Sequence, residues 1–181
     1  MRCFNSNRMI WMLVGIVTAI VVDVGSVKAD FRFGTAEILG APVSIDSYGD
    51  FAYCLSADGL QLYFMSNRPQ EGKEFFDIWT TTRQSKSDPW GKPEPAKLGP
   101  AVMSGSAWEP SISTDGLELY FCSDRPGGYG GDDIWVITRA TNEDAWGEPV
   151  NLGAGVNSST KDSRPSISAN GLELYFCSGW I

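Results

Sequence analysis

One eleven-residue pattern is written three times along this chain of 181 residues, and that repetition limits the folds open to it more than any other feature. Ser56-Ala57-Asp58-Gly59-Leu60-Gln61-Leu62-Tyr63-Phe64-Met65-Ser66 returns as Ser113-Thr114-Asp115-Gly116-Leu117-Glu118-Leu119-Tyr120-Phe121-Cys122-Ser123. It returns again as Ser168-Ala169-Asn170-Gly171-Leu172-Glu173-Leu174-Tyr175-Phe176-Cys177-Ser178. The glycines lie 57 and then 55 positions apart. Further landmarks keep the same order: Asp77-Ile78-Trp79 matches Asp133-Ile134-Trp135, Arg83 matches Arg139, and Trp90-Gly91-Lys92-Pro93 matches Trp146-Gly147-Glu148-Pro149. Leu98-Gly99 and Leu152-Gly153 close the units, with a forerunner at Leu39-Gly40. A period of this length marks an array of like supersecondary units.

Within a unit the local signals are all β. Asp-Gly or Asn-Gly between two apolar runs is a hairpin cue, and it predicts a tight two-residue turn in which both residues tolerate positive φ. The turn joins strand one, about 109 to 113, to strand two, about 117 to 123. The glycine-rich Pro126 to Gly131 stretch breaks the chain. Strand three then runs over about Asp132 to Arg139, rich in Ile, Trp, Val and Thr, and a short fourth strand is predicted over Trp146 to Leu152. Four antiparallel strands at this interval describe a propeller blade, which buries its faces only against neighbouring blades. The runner-up is a β-sandwich, which does not account for the return of the same strand order with the same turn residues.

The units Pro110-Ser111-Ile112-Ser113-Thr114-Asp115-Gly116, Leu119-Tyr120-Phe121-Cys122-Ser123-Asp124-Arg125, Gly127-Gly128-Tyr129-Gly130-Gly131 and Asp133-Ile134-Trp135 closely resemble the WD40-like PD40 repeats of the TolB-propeller type. The resemblance runs from about Ala52 to Ser178, and the second unit matches best. In the first, Tyr53 stands where Pro110 and Pro165 sit, and Pro69 to Phe76 lacks the glycine-rich turn. The resemblance implies an all-β propeller in the cell envelope or beyond, and it fixes no ligand.

The expected organisation is a signal peptide over 1–29, a leading strand and linker over 30–50 with the strand near Phe33 to Leu39, one blade over 51–108, a second over 109–163 and a partial third over 164–181. The leader has Arg2 and Arg8 before an apolar run from Met9 to Val22, with Val27-Lys28-Ala29 offering a cleavage site. Asp23 holds that run to 14 residues. That is short of the roughly 20 a spanning helix needs, so no stable membrane span is expected after cleavage. Propellers close with about four to eight blades, so an array of two and a half implies a truncated or fragmentary reading frame, with self-association of several chains into a ring as the second remedy.

From Asp30 onward 21 acids face 11 bases, a net charge of −10, which disfavours nucleic-acid partners. The chain has no histidine, and this excludes imidazole proton shuttles and His-ligated zinc. Three cysteines follow the leader, Cys54, Cys122 and Cys177. The odd number implies no disulfide framework, and the repeated Cys122 and Cys177 read as small buried hydrophobes. Asp124, Asp132 and Asp133 around the glycine-rich loop are candidate Ca²⁺ ligands, but the first unit offers only Asp77 there, and turn chemistry explains them as well. Asp115 with Glu118, or Glu109 with Asp162, could supply paired acids for glycoside hydrolysis. Asp115, however, recurs as Asp58 and Asn170, which is the mark of a turn.

The recurring Trp79, Trp135, Trp90 and Trp146 read as packing between blades, each ring contributing about 2–3 kcal/mol by burial. Trp108 and Trp180 fall outside the repeated landmarks, and Trp108, in the loop entering the second blade, is the ring to test for ligand contact. No residue is assigned to catalysis, to a cofactor or to a metal. The reading is a non-catalytic exported module, periplasmic or secreted, that binds protein or cell-envelope components. Its alternative is an accessory propeller, or a fragment, of a larger secreted peptidase or polysaccharide-active hydrolase.

Overall fold

A computed structural model gives the fold, and it describes residues 15–16, 32–70, 76–98 and 105–180. Every regular element in them is a strand. Strands β1 (Gly15–Ile16) and β2 (Arg32–Phe33) form a two-residue antiparallel pair. The rest of the leader, with its expected signal-peptide helix, lies outside the described residues. The leading strand is shorter than the expected Phe33 to Leu39 and pairs with leader residues.

The first sheet takes β3 (Asp50–Leu55), β4 (Gln61–Ser66), β5 (Asp77–Thr82) and β6 (Glu94–Pro95) in sequence order. The second takes β7 (Ala107–Ile112), β8 (Glu118–Ser123), β9 (Asp133–Thr138) and β10 (Val150–Asn151) in the same way. A third sheet begins with β11 (Lys161–Ile167) and β12 (Leu174–Trp180). All pairings are antiparallel, and the registers repeat: Phe64 faces Trp79 in the first sheet and Phe121 faces Trp135 in the second. Each sheet draws its strands from one repeat, so the molecule is an all-β array of propeller blades, incomplete in the described residues, and the sandwich is set aside.

The hairpin turns are longer than the Asp-Gly cue predicts. Ser113 N donates to Glu118 O, and Gly116 N donates to Ser113 O, so four residues separate the closing pair. Only the glycine is left-handed, at φ 74°, 75° and 70° for Gly59, Gly116 and Gly171. Asp115 serves as an acceptor instead: its Oδ1 takes Ser113 Oγ at 2.6 Å and Leu117 N at 3.0 Å, while Ser113 Oγ takes Glu118 N at 2.9 Å. Ser56 and Asp58 build the same turn, and Ser168 with Asn170 builds it a third time. This is why serine recurs before each Asp-Gly or Asn-Gly.

Removing the hydroxyl in Ser113→Ala breaks two of those bonds at a buried position, and urea unfolding is expected to show a loss of about 1 kcal/mol. The serine hydroxyl, and then the Leu117 amide, hold the Asp115 carboxyl below its usual range. A depressed carboxyl stabilises the fold above its unfolded pKa and loses that contribution as pH falls through the folded value. Asp115→Asn is therefore expected to leave neutral stability intact, as Asn170 shows the amide makes the same bonds, and to flatten the acid limb of stability.

The fourth strand also differs from expectation, shrinking from Trp146–Leu152 to two residues. Gly147 N still donates to Thr138 O at 2.9 Å, but Pro149 has no N–H to offer, and pairing resumes only at Val150.

Two apolar clusters hold the sheets. Leu62, Phe64 and Trp79 gather with Val43 on one face of the first sheet. On its other face Tyr63 and Ile78 join Ile112, Leu119, Phe121, Trp135 and Ile137 of the second sheet in a shared core. Polar contacts across the sheets repeat as well: Ile112 N donates to Cys54 Sγ at 3.2 Å, and one repeat on, Ile167 N donates to Ser111 Oγ at 3.1 Å. Cys122 is buried and its thiol donates to Asp162 O at 3.2 Å, whereas Cys177 is only half-buried.

An arginine follows strand two in the first two sheets. Arg68 lies over Phe64 at 5.0 Å and Trp79 at 5.8 Å, and Arg125 lies over Phe121 at 4.8 Å and Trp135 at 5.1 Å. Arg68 donates to Val43 O at 2.6 Å, to Pro42 O at 3.2 Å and to Asp50 Oδ2 at 3.2 Å, and its Nη1 meets Asp50 Oδ1 at 3.2 Å. A second pair of arginines covers the remaining repeated rings: Arg83 lies over Trp90 at 4.3 Å and Arg139 over Trp146 at 4.4 Å. Trp79 and Trp135 are thus core residues, while Trp90 and Trp146 are half-buried under guanidinium groups.

Candidate functional site

The first strand of each sheet carries a bulge at one equivalent place. Pairing slips between Phe51 and Cys54, between Trp108 and Ser111, and between Ser163 and Ser166. The bulged residues are left-handed at Ala52 (φ 51°), Glu109 (φ 54°) and Arg164 (φ 56°). None is glycine, so each holds a conformation that costs about 1–3 kcal/mol and persists because the surrounding packing fixes it. A bulge re-aims the side chains beside it. The backbone repeats here while the side chain changes from methyl to carboxylate to guanidinium.

Beside the second and third bulges lies a cavity of about 280 Å³, lined by Met65, Trp108, Glu109, Cys122, Asp132, Ser163 and Arg164. Glu109 bridges two sheets, taking Arg164 N on Oε2 at 2.8 Å and facing Arg164 Nε from Oε1 at 3.5 Å. Asp132 faces Lys161 Nζ at 3.3 Å at the exposed side. Burial, and then the acids Asp132 and Glu109, push the Cys122 thiol far up, and burial also raises Cys54. Both sulfurs stay protonated at neutral pH, which leaves the cavity without a thiolate nucleophile.

The residues singled out in the sequence fall in different places. Trp108, one of the two rings outside the repeat pattern, lines the cavity and is half-buried. Glu109 and Asp162 do not converge: Glu109 reaches the cavity, while Asp162 is buried and takes Ser158 N at 2.6 Å and Ser158 Oγ at 3.0 Å on Oδ2. Asp115 is spent in its turn, and Glu118 takes the hydroxyl of Tyr120 at 2.7 Å.

The three loop aspartates also part company. Asp124 takes Ser106 N at 2.9 Å; Asp133 takes the amides of Tyr129 and Gly130 and the amide side chain of Asn151; only Asp132 lines the cavity. Among the described residues no group of three or more His, Cys, Asp or Glu is placed to hold a metal ion. The glycine-rich loop is instead a packing element. Gly131 N donates to Thr160 O at 2.7 Å, and a Cβ on Gly130 would stand 2.3 Å from that same carbonyl.

Sequence reasoning missed the Glu109–Arg164 pair and the bulges, since nothing in Trp108-Glu109-Pro110 announces a left-handed glutamate. Arg68 and Arg125 did carry a signal, being 57 residues apart after Ser66 and Ser123.

Fold and site together define a β-propeller-type repeat protein with a ligand-sized cavity beside its first strands. No family model matches the chain, and no curated protein matches it. Among solved structures it is similar to TolB from Acinetobacter baumannii, with a TM-score of 0.48 and 17% sequence identity over 78% of this chain. The chain spans 29% of that protein's length.

Proposed function

We propose that this chain is a non-catalytic, exported binding or scaffolding module that holds a protein or cell-envelope ligand at the cavity beside β7 and β11. The observation that carries this reading is the variation of side chain on a constant strained backbone at Ala52, Glu109 and Arg164. A position whose charge changes while its backbone geometry is held is suited to recognition. Trp108 supplies a flat apolar face beside that charged pair, the combination found in protein-binding anchors. The lack of histidine and the protonated thiols support a binding role over a catalytic one, and the charged start, apolar run and small-residue site of the leader support export.

Panning a displayed peptide library on the purified chain tests the reading. Peptides enriched on the wild type are expected to bind Trp108→Ala at least ~10-fold more weakly, in keeping with loss of an anchor ring. Equal binding to both proteins would refute the site. Hydrolysis of chromogenic peptide or glycoside substrates that disappears in Glu109→Gln would refute the non-catalytic assignment.

A further inference from the structure

The sequence of β8 is written a second time at β12. Glu118-Leu119-Tyr120-Phe121-Cys122-Ser123 recurs without a change as Glu173-Leu174-Tyr175-Phe176-Cys177-Ser178, and all but Glu173 of the second copy lie in β12. On β8 each of the six residues faces one of β9: Glu118 faces Thr138, Leu119 faces Ile137, Tyr120 faces Val136, Phe121 faces Trp135, Cys122 faces Ile134 and Ser123 faces Asp133. The first sheet holds β5 on β4 in the same register, with Ser66 opposite Asp77, Met65 opposite Ile78 and Phe64 opposite Trp79. β12 pairs with β11 along one edge, and among the described residues no strand lies along the other.

Exposure records the difference. Phe121 is 0% exposed and Phe176 37%, while Ser123 is buried and Ser178 exposed. An open edge presents backbone N–H and C=O groups to which a further strand can pair. Recognition by strand addition takes its affinity from those main-chain bonds and its specificity from alternate side chains. Because the acceptor residues are the same, the strand that β8 takes defines the strand that β12 can take.

We infer that the open edge of β12 docks an extended segment of a partner protein that reads Asp-Ile-Trp-Val-Ile-Thr or keeps its Ile-Trp centre. The segment adds antiparallel, with its Trp opposite Phe176, its Ile opposite Cys177 and its Asp opposite Ser178. The donated Ile and Trp take the places that Ile134 and Trp135, 0% and 6% exposed, take on β8. This edge faces away from β11, whereas the cavity lies beside β7 and β11, so the inference does not rest on what the cavity holds.

Fluorescence anisotropy of a labelled synthetic peptide copying residues 131–139, titrated with the full chain, tests it. Saturable binding of one peptide per chain is expected. The peptide carrying Trp135→Ser is expected to bind at least ~10-fold more weakly, as befits loss of an anchor ring, and the unaltered peptide is expected to bind the Phe176→Ala chain more weakly by a similar factor. The peptide variant decides the matter if Phe176→Ala does not fold. Nuclear Overhauser contacts from the Trp of the bound peptide are expected at Phe176. Absence of binding, equal binding of a peptide with the same residues in scrambled order, contacts at Phe121 in place of Phe176, or an edge held by a second copy of the chain that saturating peptide does not release would overturn the assignment.

Discussion

Asp50→Ala is expected to destabilise the fold by about 3 kcal/mol, as befits removal of one partner from a buried ion pair. Both members are enclosed, with side-chain exposures of 7% for Arg68 and 2% for Asp50. Arg68 keeps its bonds to the Val43 and Pro42 carbonyls, which sets the effect at the lower end for such breakages. The larger part of the loss is the penalty of leaving a cation buried and unpaired, not the net strength of the pair. The double variant Asp50→Ala with Arg68→Met is therefore expected to recover much of the loss, because it removes the stranded charge and keeps apolar volume over Phe64 and Trp79. Urea unfolding of the three proteins checks this. A single-variant loss within about 0.5 kcal/mol of zero, the level of an ordinary surface change, would show that Asp50 is not the counter-ion.

Phe121→Ala is expected to cost about 3–5 kcal/mol, the range for truncating a buried aromatic in a packed core. Its ring is 0% exposed and sits in the core shared by the first two sheets, beneath the guanidinium of Arg125. The same substitution one repeat later, Phe176→Ala, is expected to cost far less, since that ring is 37% exposed. The contrast runs through the repeat: Tyr63 is 1% exposed and its counterpart Tyr175 is 62% exposed. Identical motifs thus differ in energy according to what lies against them: among the described residues Tyr175 has no further sheet on its face, and Phe176 has no third strand beside it. Comparable losses in the two variants would contradict the packing order.

The sheets were legible because periodicity is a global signal: three copies of Leu-x-Leu-Tyr-Phe and two of Asp-Ile-Trp place strands that no single copy would fix. The turns were half legible. Asp-Gly marked where each hairpin turns, but the serine two residues before the aspartate sets the loop length through its hydroxyl, a bond that no dipeptide rule contains. The fourth strand was overextended because Trp146 and Val150 read as β-formers, while Pro149 between them interrupts the ladder. Trp108 could be singled out because it breaks the repeat pattern. Its partners could not, because Glu109 and Arg164 lie 55 residues apart and meet only through the bulge and the stacking of the sheets. The metal reading of Asp124, Asp132 and Asp133 arose from closeness in sequence, which a tight loop undoes by sending each carboxylate to a different amide or ammonium group.

The central claim is that each repeat folds into its own sheet, four-stranded in the first two, and that the sheets stack one upon the next. Nuclear Overhauser contacts across strands test it most directly. The account predicts backbone contacts linking Phe64 with Trp79 and Phe121 with Trp135, and contacts between Ser111 and Ile167 across sheets. Backbone contacts that instead join strands of different repeats in one ladder, such as β4 beside β8, would contradict it.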